Sequence, residues 1–237
     1  MPFETLIYEE NFDSNVIDDS VWTHEVGEKW FNNESQAYVD DRNHSFVKDS
    51  CLNLVATYDP QDRLPYQSAR LSTYGKKHFQ YGRFVLRAKM PKGKGAWPAL
   101  WFLGCDRKNH VPWPLCGEID LCEFSGNRPQ QVTCAIHTAT FNHKIHTQKG
   151  ARLLLNDASD AFHDYILEWT EQTLRFIVDE TEILRFDKEE GFTEREWPFD
   201  KPYYMILNLA VGGWYGGDIA PEDLPFHLQI DSIKVYQ

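Results

Sequence analysis

The chain has 237 residues, 42% of them hydrophobic and 14% aromatic, and a formal net charge of −12 at pH 7. That charge excludes nucleic acid and anionic membrane surfaces as partners, because both attract basic patches and the sequence shows none. No stretch approaches the roughly 18 apolar residues that a membrane span requires.

The length fits a single domain covering residues 1–237, since all-β sandwiches and barrels commonly reach this size undivided. No repeat or Pro/Gly/Ser linker divides the chain, and a monomer is expected. The N-terminal MPFETLIYEENFDS lacks a basic region followed by an apolar one, so no signal peptide is expected in this chain. The expected location is cytoplasmic, or secreted if a signal has been removed.

Taken in chain order, strand-like runs bounded by turn residues fall at 51–58, 68–74, 81–90 and 97–104. The apolar run GEIDLCEF follows at 117–124, then further runs at 131–138, 163–170, 174–180, 203–213 and 228–236. HDYILEWT and LRFIVDE alternate apolar and polar residues across a short EQT connection, which predicts a hairpin. Residues 187–200 are densely charged and interrupted by Gly191 and Pro198, and are expected to form a short helix or irregular loop. Many short strands with few helices predict an antiparallel sandwich, with one face open to a polymer. Eight tryptophans exceed what packing needs and suit a sugar-binding cleft.

Five cysteines, Cys51, Cys105, Cys116, Cys122 and Cys134, form no CxxC pair, and their odd number leaves a thiol free. Cys105 and Cys116 flank a loop and could pair; a reducing compartment fits the count equally well. Cys122 and Cys134 read as small buried hydrophobes.

GEIDLCEF carries the chemistry. It places Glu118, Asp120 and Glu123 among apolar residues, where an unpaired buried carboxylate is costly and needs a reason. Side chains alternate along a strand, so Glu118 and Asp120 share a face that Glu123 would miss. One β-bulge near Leu121 or Cys122 returns Glu123 to that face. Two close carboxyls suit glycoside cleavage with retention, which needs a gap of roughly 5 to 5.5 Å, and crowding pushes their pKa values apart. An acidic strand edge or a calcium-binding acid cluster is the plainer alternative.

Four blocks then carry a resemblance: SARLSTYGKKHFQYGRFVLRAKMPKGKGAWPALWFLG from Ser68, WPLCGEIDLCEFSG from Trp113, FHDYILEWT from Phe162 and PFDKPYYMILNLAVGGWYGG from Pro198. With the weaker WFNNESQAYV and the terminal IDSIKVYQ, they make the chain resemble glycoside hydrolase family 16, and within it the laminarinase-like endo-β-1,3-glucanases. The resemblance implies an all-β jelly-roll sandwich of two curved antiparallel sheets with a concave substrate cleft. It also implies Glu118 as nucleophile, Glu123 as general acid and base, and Asp120 as the residue tuning the pair. The two residues between Asp120 and Glu123 resemble the bulged branch of the family, whereas its lichenases and xyloglucan transferases typically have one.

By the same resemblance, Trp97, Trp101 and Trp113 line sugar sites, Trp214 lies at a more distant subsite, Asn33 and Glu34 present polar side chains to the non-reducing side of the cleft, and the Arg70 guanidinium grips sugar hydroxyls. His137 is expected beside the acids, and Asn208 could face the same cleft. His143 and His146, three apart, match no recognised zinc pattern. No cofactor is expected for catalysis. Asp231 matches an acid that holds a structural calcium in many members, although Ser50 replaces the family's usual glycine near that site. The expected reaction is endo-acting, retaining cleavage of β-1,3-glucan (laminarin), with mixed-linkage β-1,3/1,4-glucan as a further substrate. The alternatives are another specificity on this fold, such as agarase or carrageenase, and a noncatalytic carbohydrate-binding jelly roll.

Overall fold

The computed structural model describes residues 3–237, which form 17 strands. The first nine are β1 (Leu6–Glu10), β2 (Thr23–His24), β3 (Ala37–Tyr38), β4 (Ser45–Lys48), β5 (Cys51–Tyr58), β6 (Tyr66–Ser68), β7 (Arg70–Ser72), β8 (Gly82–Lys89) and β9 (Ala96–Gly104). The others are β10 (Glu118–Phe124), β11 (Gln131–His137), β12 (Lys149–Leu154), β13 (His163–Trp169), β14 (Thr173–Val178), β15 (Thr181–Asp187), β16 (Tyr203–Val211) and β17 (Phe226–Tyr236).

Period-two alternation decides which way these strands face. In β8, Phe84, Leu86 and Ala88 are fully buried while Arg83, Arg87 and Lys89 alternate with them toward solvent. In β11, Val132, Cys134 and Ile136 join the core while Gln131, Thr133, Ala135 and His137 take the opposite face.

The strands assemble into two sheets. The ten-stranded sheet runs β15-β14-β13-β8-β17-β5-β6-β3, with β1 beside β17 and β4 beside β5. The seven-stranded sheet runs β12-β11-β10-β9-β16-β7-β2. Pairing is antiparallel except between β3 and β6. One core lies between the sheets, as in the edge-to-face contact at 5.0 Å between Phe84 of one and Phe102 of the other. Each such side chain contributes roughly 1.5–3 kcal/mol by burial.

The all-β sandwich and the hairpin of β13 and β14 agree with the sequence reading. The run at 68–74 divides, because the chain passes from one sheet to the other at the fully buried Ala69. Of residues 187–200, Asp187 ends β15 and residues 188–200 form turns and irregular backbone. All five cysteines are free, so Cys105 and Cys116 are not paired. No helix among the described residues is long and apolar enough to cross a membrane.

Candidate active site

The turn into β10 is built for glycine. Gly117 has φ +75°, and a Cβ there would lie 2.0 Å from the Tyr203 hydroxyl. This turn delivers Glu118 to the strand opposite His137 of β11, and Asp120 then pairs with Ala135.

From Asp120 to Glu123, β10 advances three residues while β11 advances two, from Ala135 to Thr133. On the other side, the register with β9 slips between Asp120 and Cys122. Leu121 is therefore the extra residue of a β-bulge, and both it and Cys122 sit in the core. Glu118, Asp120 and Glu123 consequently share one cleft of about 520 Å³. The neighbours Ala99 and Ala135 are small, which leaves the acids room.

Each glutamate is held by an indole. Trp113 Nε1 donates to Glu118 Oε2 at 3.1 Å, and Trp97 Nε1 donates to Glu123 Oε1 at 3.0 Å. His137 Nε2 lies 3.3 Å from Asp120 Oδ2 and 3.9 Å from Glu118 Oε1.

Burial, reinforced by the Asp120 charge and opposed by His137, pushes the Glu118 carboxyl up to about 8. Burial and the Glu123 charge raise Asp120 well above the usual carboxylate range. Burial also raises Glu123, against the Trp97 N–H that favours its ionised form. Three such groups titrate as a unit, so the cluster holds protons near neutral pH. A retained proton serves a general acid, and an ionised partner serves a nucleophile.

The other expected residues divide into two sets. Trp97, His137 and Trp214 line the cleft beside the acids, and Trp113 reaches them through Glu118. Trp101 instead donates to Asn208 Oδ1 at 2.7 Å, and the buried Asn208 amide donates to Tyr38 at 3.0 Å. Tyr38 donates in turn to Glu34 at 3.4 Å, as does Gln36 at 2.8 Å. Arg70 pairs with Glu25 at 2.6 Å and lies 4.9 Å from the rings of both Trp30 and Trp101. This second set forms a network that braces one side of the sheet.

Asn33 is exposed, and the preceding Asn32 lines the cleft in its place. Both residues have positive φ, so the sharp backbone turn separates their side chains. Asp231 lies on the other sheet, 3.7 Å from the Arg87 guanidinium.

Several lining residues escaped the sequence reading. Thr133 sits on the His137 face of β11, and its hydroxyl is 2.7 Å from Tyr215 OH. Arg128 lies over the Tyr215 ring at 4.7 Å. His143, from a 3-10 turn after β11, packs 4.9 Å from Trp113 and 6.5 Å from Trp214. Counting back by twos from His137 finds Thr133, but nothing local places His143, weighed in the sequence only as a metal ligand, in the cleft.

Residues 26–231 match the model of glycosyl hydrolases family 16. The chain is 38% identical over 248 residues to a β-glucanase of Rhodothermus marinus, covering 100% of this chain and 86% of that one. It superposes on the structure of the laminarinase from Rhodothermus marinus with TM-score 0.93 and 37% identity, covering 98% and 97% of the two chains. A mutant of SCLam, a non-specific endo-β-1,3(4)-glucanase, presents 1,3-β-D-cellobiosyl-glucose at its active site. It matches with TM-score 0.93 and 33% identity, covering 100% of this chain and 96% of that one.

Proposed function

The chain belongs to glycosyl hydrolases family 16, and from its cleft we infer that it is an endo-acting, retaining hydrolase of β-1,3-glucan that also accepts mixed β-1,3/1,4-linked glucan. The observation that carries this reading is the bulge at Leu121, which sets Glu118 and Glu123 on one face with Asp120 between them.

With the proton that the cluster retains resting on Glu123, the Glu118 carboxylate attacks the anomeric carbon while Glu123 gives that proton to the departing glycosidic oxygen. The resulting glycosyl-enzyme is cleaved by water, from which Glu123 takes a proton. Asp120, beside Glu118 and His137, governs how protons are shared within the cluster. The indole N–H groups of Trp113 and Trp97 fix the two glutamates, and the faces of Trp97 and Trp214 offer stacking surfaces to sugar rings.

No cofactor is required for this chemistry. The residues around Asp231 fit a structural calcium poorly, because the Arg87 guanidinium already supplies the positive charge that its carboxylate faces. No step depends on a metal there.

Glu118→Gln is the direct test. Turnover of laminarin falls at least about a thousandfold while oligosaccharide binding by calorimetry persists. Retained turnover contradicts the assignment. Laminarin, mixed-linkage glucan, agarose and carrageenan assayed in parallel check the substrate, and failure to cleave either glucan overturns it.

A further inference from the structure

The geometry points to a second kind of occupant for the cleft: we propose that Glu118, Asp120 and His137 form a binding site for a divalent transition-metal ion of the zinc class, which inhibits the enzyme by capping Glu118. Among the described residues, these three are the one group of His, Cys, Asp or Glu side chains whose donor atoms all lie within 4.8 Å of one another. Tetrahedral zinc, with bonds of about 2.0–2.1 Å to nitrogen and oxygen, sets its ligands about 3.3–3.4 Å apart. His137 Nε2 and Asp120 Oδ2 are already at 3.3 Å. Glu118 Oε1 is 3.9 Å from the same nitrogen and within 4.8 Å of the Asp120 donor, so it must close by about half an ångström on the nitrogen and reach the same spacing from Asp120 to complete the set.

His137 supplies the independent sign of a ligand. The residue is 6% exposed and lines the cleft; its Nε2 faces both carboxylates, and its Nδ1 is buried with no hydrogen-bond partner among the described residues. An unpaired polar group in such a place is costly. The pairing of Glu118 with His137 across β10 and β11 holds the ring against the acids, and a cation bound at Nε2 between them relieves the crowding of carboxylates. The open cleft leaves a fourth position for water.

One imidazole and two carboxylates suit zinc. They do not suit calcium, which takes six or more oxygens. The rival zinc ligand is the half-exposed thiol of Cys105.

The test is calorimetric titration of the full chain with zinc chloride in the absence of substrate, which stands whatever the natural substrate proves to be. One ion binds per chain, calcium chloride gives no heat at this site, and zinc inhibits laminarin hydrolysis competitively until EDTA is added. His137→Asn and Glu118→Gln, each shown by circular dichroism to be folded, weaken zinc binding at least about tenfold, whereas Cys105→Ser binds as the parent does. Unchanged zinc binding in His137→Asn, loss of binding in Cys105→Ser, or no stoichiometric binding overturns the proposal.

Discussion

Glu118 is held in apolar surroundings by one indole N–H and one nearby imidazole, and its carboxyl is raised to about 8. A carboxyl raised in the folded state stabilises the fold fully below its unfolded pKa, and that contribution is lost as pH rises through the folded value. Glu118→Gln, which cannot ionise, is therefore expected to melt above the parent at about pH 9 and close to it at about pH 4, as scanning calorimetry would show. Equal melting temperatures at the higher pH contradict the raised carboxyl. Trp97 tests the partner acid. Its N–H lowers the Glu123 pKa, so Trp97→Phe, which removes the donor and keeps an aromatic face, moves the alkaline limb of kcat/KM to higher pH. An unmoved limb places the proton elsewhere. At this scale the sequence was informative wherever chemistry and pattern coincided, as for the acids in an apolar run. It was silent on Asn32 against Asn33 and on His143, whose places depend on loop paths set by tertiary packing.

Two features of β10 make its residues useful: the entry turn at Gly117 and the bulge at Leu121. A methyl group at Gly117 meets both a positive φ and the Tyr203 hydroxyl. Gly117→Ala is accordingly expected to lose roughly 2–4 kcal/mol of stability in urea titration, and kcat with it as Glu118 shifts. A neutral effect contradicts the tightness of the turn. Leu121 is 2% exposed within the core, and Leu121→Ala costs about 2–5 kcal/mol. The bulge was legible because strict alternation fails at the spacing of Asp120 and Glu123, and only an extra residue restores it. The strands β4, β12 and β15 were missed for the opposite reason. They lie at or near sheet edges, where half of each strand is solvated and the apolar alternation is weak, as in Lys149–Leu154.

Across the whole molecule, the seven-stranded sheet presents the cleft while the ten-stranded sheet closes the core behind it. The fold class was readable because ten apolar runs with turn residues between them leave few other arrangements. The braced side of the sheet was not, because Trp101, Asn208, Tyr38 and Glu34 come from distant parts of the chain. With a net charge of −12, copies of the chain repel one another, and sedimentation velocity is expected to show a monomer. The central claim is that Glu118 forms the covalent bond to sugar. It is tested most directly by incubating the enzyme with an activated 2-deoxy-2-fluoro derivative of a β-1,3-linked glucose disaccharide and mapping the adduct by peptide mass spectrometry. The account predicts one disaccharide ester, on Glu118; an adduct on Glu123 or Asp120 would contradict it.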